Sequence, residues 1–109
     1  MQWIHRLAPR TRKSSEIALI RSIAHQSVDS VWEQVHSRLP ELTSSEVRGY
    51  VRVKAGITVR SQLNQLAGEK PELSQASHGR VLDLARESVV EAILSRLAEM
   101  RQTRVRQAA

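Results

Sequence analysis

The chain has no cysteine and no phenylalanine, four glycines and three prolines in 109 residues, and three aromatic side chains, Trp3, Trp32 and Tyr50. Without cysteine there is neither a disulfide framework nor a thiolate metal site. So few glycines leave no phosphate-cradling loop, and no dinucleotide fingerprint or G-x-S-x-G elbow occurs. Scarce aromatics argue against base stacking as a means of holding nucleic acid. No apolar run approaches the roughly 18 to 20 residues that span a bilayer, and residues 1–30 lack the apolar centre of a secretory signal. The expectation is a soluble, cytoplasmic chain.

What is present is an ordinary apolar fraction, 40%, carried by Leu, Ile, Val and Ala. At this length it supports a single domain with a modest core. Seventeen basic residues against eleven acidic ones give a net charge near +6, but the excess is local. Residues 1–13 hold Arg6, Arg10, Arg12 and Lys13 with no acid, and residues 96–109 hold Arg96, Arg101, Arg104 and Arg106 against Glu99 alone. The stretch between them holds nine basic and ten acidic residues, so the basic character belongs to two arms rather than to the body. One stretch of the body, 43–67, is also biased, with Arg48, Arg52, Lys54 and Arg60 against Glu46.

The apolar pattern predicts three long helices. Ile17, Ile20, Ala24, Val28, Val31, Val35 and Leu39 recur at steps of three and four, flanked by Leu19, Ile23 and Trp32. This places a helix over 14–39, capped by Ser14 or Ser15 and stopped by Pro40. Thr43-Ser44-Ser45-Glu46 reads as a capping box opening a second helix over 43–67, with Gly68 closing it. Its middle is ambiguous. Residues 51–60 alternate apolar and polar about Gly56, as a hairpin would, but Ala-Gly is a poor two-residue turn and a lone hairpin has no other strand to join. As a helix, the stretch offers Val47, Val51, Ala55, Val59, Leu63 and Leu66 along one ridge, with Tyr50, Val53 and Ile57 beside it. After a connector at 69–72, where Pro71 suits a first helical turn, Ser77 is a cap for a third helix over 77–104. Its stripe is Leu82, Ala85, Val89, Ile93, Leu97 and Met100, flanked by Val81, Val90 and Leu94. The expected fold is all-α: an antiparallel bundle of three long helices over 14–104, about 35 to 40 Å long, with a basic arm at 1–13 and a tail at 105–109. In the first arm, Trp3, Ile4, Leu7 and Ala8 share one side of a short helical stub that Pro9 ends.

Chemistry-bearing constellations are sparse. His5, His25, His36 and His78 form no pair at metal-binding spacing. Glu33-x-x-His36 resembles one half-site of a di-iron bundle, but such bundles need two units and two further Glu, and both residues point away from the apolar stripe. Asp83, Glu87 and Glu91 form a carboxylate row, with nothing beside them in sequence to raise a pKa or act as a nucleophile. A second reading has the row facing Arg48, Arg52 and Arg60, which would neutralise both ridges. The serines sit at caps and on polar faces. No enzyme, metal, cofactor or small-molecule substrate is therefore expected.

Two functions remain. The first is a non-enzymatic protein-interaction or assembly module. Its apolar stripes look wider than one small bundle needs, leaving part of Leu19, Ile23, Trp32, Tyr50, Val90 and Leu94 as a surface for a protein partner or self-association. The second is sequence-independent nucleic-acid binding, with Arg6, Arg10, Arg12, Lys13, Arg48, Arg52, Arg60, Arg101, Arg104 and Arg106 as phosphate contacts. Two turns of amphipathic stub are too little to anchor the chain on a membrane surface.

Overall fold

The computed structural model describes residues 2–69 and 75–108, with side chains over 16–66 and 77–107. Three helices, α1 (Gln2–Val35), α2 (Ser44–Glu69) and α3 (Gln75–Ala108), each pack against the other two. Among the described residues there is no strand, so the alternation over 51–60 belongs to the interior of a helix. The chain is an all-α three-helix bundle.

The core fixes the relative placement of the helices. Val47, Val51, Ala55, Val59 and Leu63 on α2 and Val81, Ala85, Val89, Ile93 and Leu97 on α3 are all buried, each set stepping by four. On α1 the row is Ile23, Ser27, Val31 and Val35, with Ala24 and Trp32 alongside. A row stepping by four is inclined to the helix axis, so the buried line winds around each helix and leaves its starting face behind. That inclination corrects several sequence expectations. Val81 and Val90 lie in the centre of the core, not at its flank, while Ile17, expected in the stripe, is half exposed. Ion pairs give the direction: Arg80–Glu16 and Arg96–Asp29 run α1 and α3 parallel, and Arg48–Glu91 with Arg52–Glu87 run α2 antiparallel to α3.

The helix bounds depart from expectation at five places. α1 begins at Gln2 and passes through Pro9, so residues 2–13 are not a stub that Pro9 ends; the ring removes one i→i−4 bond, and the rest of the helix is retained. α1 also ends at Val35, short of Leu39. Pro40 has no N–H to give the His36 carbonyl and disfavours helical geometry at Leu39, so the chain leaves through His36 N–H to Trp32 O (2.9 Å) and Arg38 N–H to Val35 O (3.0 Å). It then makes a 3-10 turn, Leu39–Glu41, whose first residue is fully buried. α2 continues past Gly68 to Glu69. α3 starts at Gln75, which puts Ser77 inside the helix, and continues to Ala108 through most of the expected 105–109 tail. Pro71 lies outside the described residues.

Because α1 and α3 are each 34 residues long, parallel and offset, the molecule is longer than the sequence suggests, at 63 × 27 × 21 Å. α1 has six residues after Asp29, whereas α3 has twelve after Arg96. The last six residues of α3, roughly 9 Å of helix, therefore overhang the end of α1.

One core position opposes the pattern. Ser27 is completely buried and its Oγ has no hydrogen-bond partner, although serines were expected only at caps and polar faces. A buried hydroxyl without a partner costs stability, and alanine is the better helix former. Ser27→Ala is expected to stabilise the bundle by about 1 kcal/mol, raising its melting temperature by about 5 °C in a calorimetric scan.

Candidate functional site

The carboxylate row of α3 is occupied. Arg48 Nη1 donates to Glu91 at 3.0 Å, and Arg52 Nη2 lies 3.3 Å from Glu87. Arg86 lies between Asp83, at 3.3 Å, and Glu87, at 3.7 Å, and its stem crosses Gly56, where an added Cβ would sit 3.5 Å from Arg86 Cδ. The row therefore works as a cross-helix ladder that fixes α2 against α3. The Arg48–Glu91 and Arg52–Glu87 pairs are largely exposed, so each contributes little by itself, whereas Arg86 is mostly buried beneath them. Arg48 and Arg52, two of the phosphate-contact candidates, already hold carboxylates. Arg60 lies one turn beyond the ladder, exposed, with no ion pair among the described residues.

The other side of α2 is held as well. Gln34 Nε2 donates to Thr58 Oγ1 at 3.2 Å, and the Arg38 guanidinium and the Lys54 ammonium sit over the Tyr50 ring at 5.7 and 5.8 Å. At the α1–α3 seam, Arg96 covers the Trp32 ring at 4.7 Å while donating to Asp29 at 3.3 Å. Glu33 and His36 are both exposed; His36 stacks on Trp32 and shares its Nδ1 with the Trp32 carbonyl. Among the described residues no group of three His, Asp or Glu side chains gathers to hold a metal ion.

The capping box forms as expected. The Thr43 amide donates to Glu46 Oε1 at 3.0 Å, and the Glu46 amide points back to Thr43 Oγ1 at 3.4 Å. The backbone hydrogen bond from Thr43 is the main cause that holds the Glu46 carboxyl below its ordinary value, with the Thr43 hydroxyl adding to it. A lowered folded-state pKa stabilises the fold above the unfolded value and loses that contribution as pH falls through the folded one. Wild type is thus expected to exceed Glu46→Gln in urea midpoint at neutral pH, with the gap closing as acid protonates Glu46.

Half of the surface expected from the stripes is taken into the core. Ile23, Trp32 and Val90 are buried, and Leu19, Tyr50 and Leu94 are half-buried against the core. The reason is geometric: flanking positions of three mutually packed helices are covered by the other two, so wide stripes are what a three-helix core uses up. The exposed large apolar residues lie elsewhere. Val53 (62%) and Ile57 (61%) face outward from α2, while Ile17 and Leu84 are each about half exposed beside the Arg80–Glu16 pair. In the sequence pattern Val53 and Ile57 stand beside the α2 ridge. A two-residue step turns about 200° around a helix, so each stands nearly opposite its neighbour Val51 or Ala55. That signal was present in the spacing.

The arms divide. Arg6, Arg10, Arg12 and Lys13 have side chains outside the described residues. Arg104 and Arg106 are exposed on the overhanging turns of α3, on either side of Val105, and Arg101 is exposed just before them. No described helix is long and apolar enough to cross a membrane. Compared with models of known families, with curated proteins and with solved structures, the chain matches none.

Proposed function

We propose that the chain is a non-enzymatic interaction module whose docking face is the outer side of α2. The observation that carries this reading is the pair Val53 and Ile57, one helical turn apart and each more than three-fifths exposed, on a helix whose two flanks are occupied by α1 and α3. Large apolar side chains adjacent on one face are characteristic of contact surfaces, whereas single exposed ones are ordinary. A photo-crosslinking residue at position 53 should give discrete protein adducts in cells, and the same residue at Glu33, exposed on α1, should not. Equal labelling from both positions would overturn the reading.

A second reading, sequence-independent nucleic-acid binding, is favoured by one observation: Arg101, Arg104 and Arg106 stand exposed on α3 without an ion pair among the described residues. It no longer draws on Arg48 or Arg52. Binding of short duplex and single-stranded probes should weaken steeply as salt rises, and the triple alanine variant at 101, 104 and 106 should reduce that salt slope. No binding at low salt would remove it.

A further inference from the structure

We infer that the outer face of α2 pairs with the same face of a second copy, antiparallel, about a two-fold axis at Val53; this rests on the interaction reading above and names its partner. Five exposed or outward positions carry it. At 100° per residue, Glu46, Gly49, Val53, Ile57 and Arg60 all fall within about 40° of the Val53 direction, forming one outward line about 21 Å long. Their spacing is symmetric about Val53: Gly49 and Ile57 are each four residues away, and Glu46 and Arg60 are each seven away.

The two halves of that line are complementary rather than alike. A closed two-fold contact brings position 53 against itself, 57 against 49 and 60 against 46 of the other copy. Ile57, 61% exposed, then comes to Gly49 of the second copy, where an added Cβ would meet nothing within 4 Å in the isolated chain. The missing side chain lets the backbones approach and gives the isoleucine a place to enter. Arg60, which has no ion pair among the described residues, arrives at Glu46 of the second copy. One oxygen of that carboxylate takes the Thr43 amide, and the other is left for a guanidinium. Knob meets notch and base meets acid, twice each by symmetry. An unrelated partner would not require this palindromic arrangement, and a self-pairing one does. The contact is short, about four turns, and smaller than a standard stable interface, so the dimer is a weak one.

The ladder explains why this face is available. Arg48 and Arg52 turn toward the acids of α3, Thr58 is held by Gln34 of α1, and Lys54 lies over the Tyr50 ring, so these polar side chains stay off the outward line. No charge stands on the axis itself.

The test uses the full chain in sedimentation and light scattering from about 10 μM to 1 mM. Wild type should move from 12.3 kDa toward twice that mass. Gly49→Gln should weaken association at least tenfold while raising the melting temperature, because glutamine fills the notch yet is the better helix former. Arg60→Glu should weaken association about tenfold and leaves the capping box untouched. Since the chain has no cysteine, Val53→Cys should form a disulfide-linked dimer under mild oxidation far faster than Ser88→Cys, exposed on α3. A mass that stays monomeric, an association unmoved by Gly49→Gln and Arg60→Glu, or equal oxidation of the two cysteine variants would each overturn the inference. If the mass stays monomeric while position 53 still gives adducts with a different protein, the interaction reading stands and only the second copy falls.

Discussion

Trp32→Ala is expected to cost about 3 to 5 kcal/mol, a large part of the stability of a domain this size. The indole is 8% exposed and is the largest side chain in the core. Its loss leaves a void between α1 and α3 that backbone movement can only partly close, because Val31 and Val35 on the same helix are themselves fully buried. It also removes the platform under Arg96 and the stacking partner of His36. Urea unfolding followed by circular dichroism measures the effect without relying on indole fluorescence. Arg96→Ala serves as the control. With the guanidinium nearly half exposed, its cation–π contact and its pair with Asp29 together should contribute no more than about 1 kcal/mol. Equal losses from the two variants would place the energy in the charge rather than in the burial.

Leu39→Ala should be nearly as damaging, at about 3 kcal/mol, although Leu39 lies in no α-helix. It is fully buried as the first residue of the 3-10 turn and seals the bundle where the chain passes from α1 to α2. Loop residues are ordinarily tolerant because they run over the surface. Here the turn must place one apolar side chain beneath itself, and Pro40 fixes the local geometry that allows it. The neighbouring exposed residue Glu41 provides the contrast: Glu41→Ala should move the urea midpoint very little. A small effect at Leu39 would mean that the end of the bundle opens in solution.

Leu39 also marks how far the sequence could be read. Its apolar character and the step of four from Val35 identified a buried position correctly, yet assigned it to a helix, since periodicity records which side chains are inside and not which backbone carries them. The capping box at Thr43 and Glu46 was fully legible because both partners lie within four residues. The Arg48–Glu91 and Arg52–Glu87 pairs were legible as one of two arrangements; choosing between them required knowing that α2 and α3 are neighbours with the facing register. Half of the expected partner surface went inside for the opposite reason. Trp32 and Val90 looked surplus on single helices, and became necessary only once three inclined rows met. Ser27 carried no local signal, since its burial comes from neighbours on other helices. Val53 and Ile57 could have been placed outward from their two-residue offset to Val51 and Ala55.

The parallel alignment of α1 with α3 has a consequence for how the chain folds. Successive helices α1–α2 and α2–α3 are antiparallel neighbours that close short loops, and either pair can zip locally at little entropic cost. Contacts between α1 and α3, such as Glu16 with Arg80 and Asp29 with Arg96, join residues more than sixty positions apart and arise only when a formed hairpin receives the remaining helix. Trp32, seated at that late seam, should therefore keep the native bundle from unfolding while doing little to speed its formation, so that its removal is felt mainly in the unfolding rate.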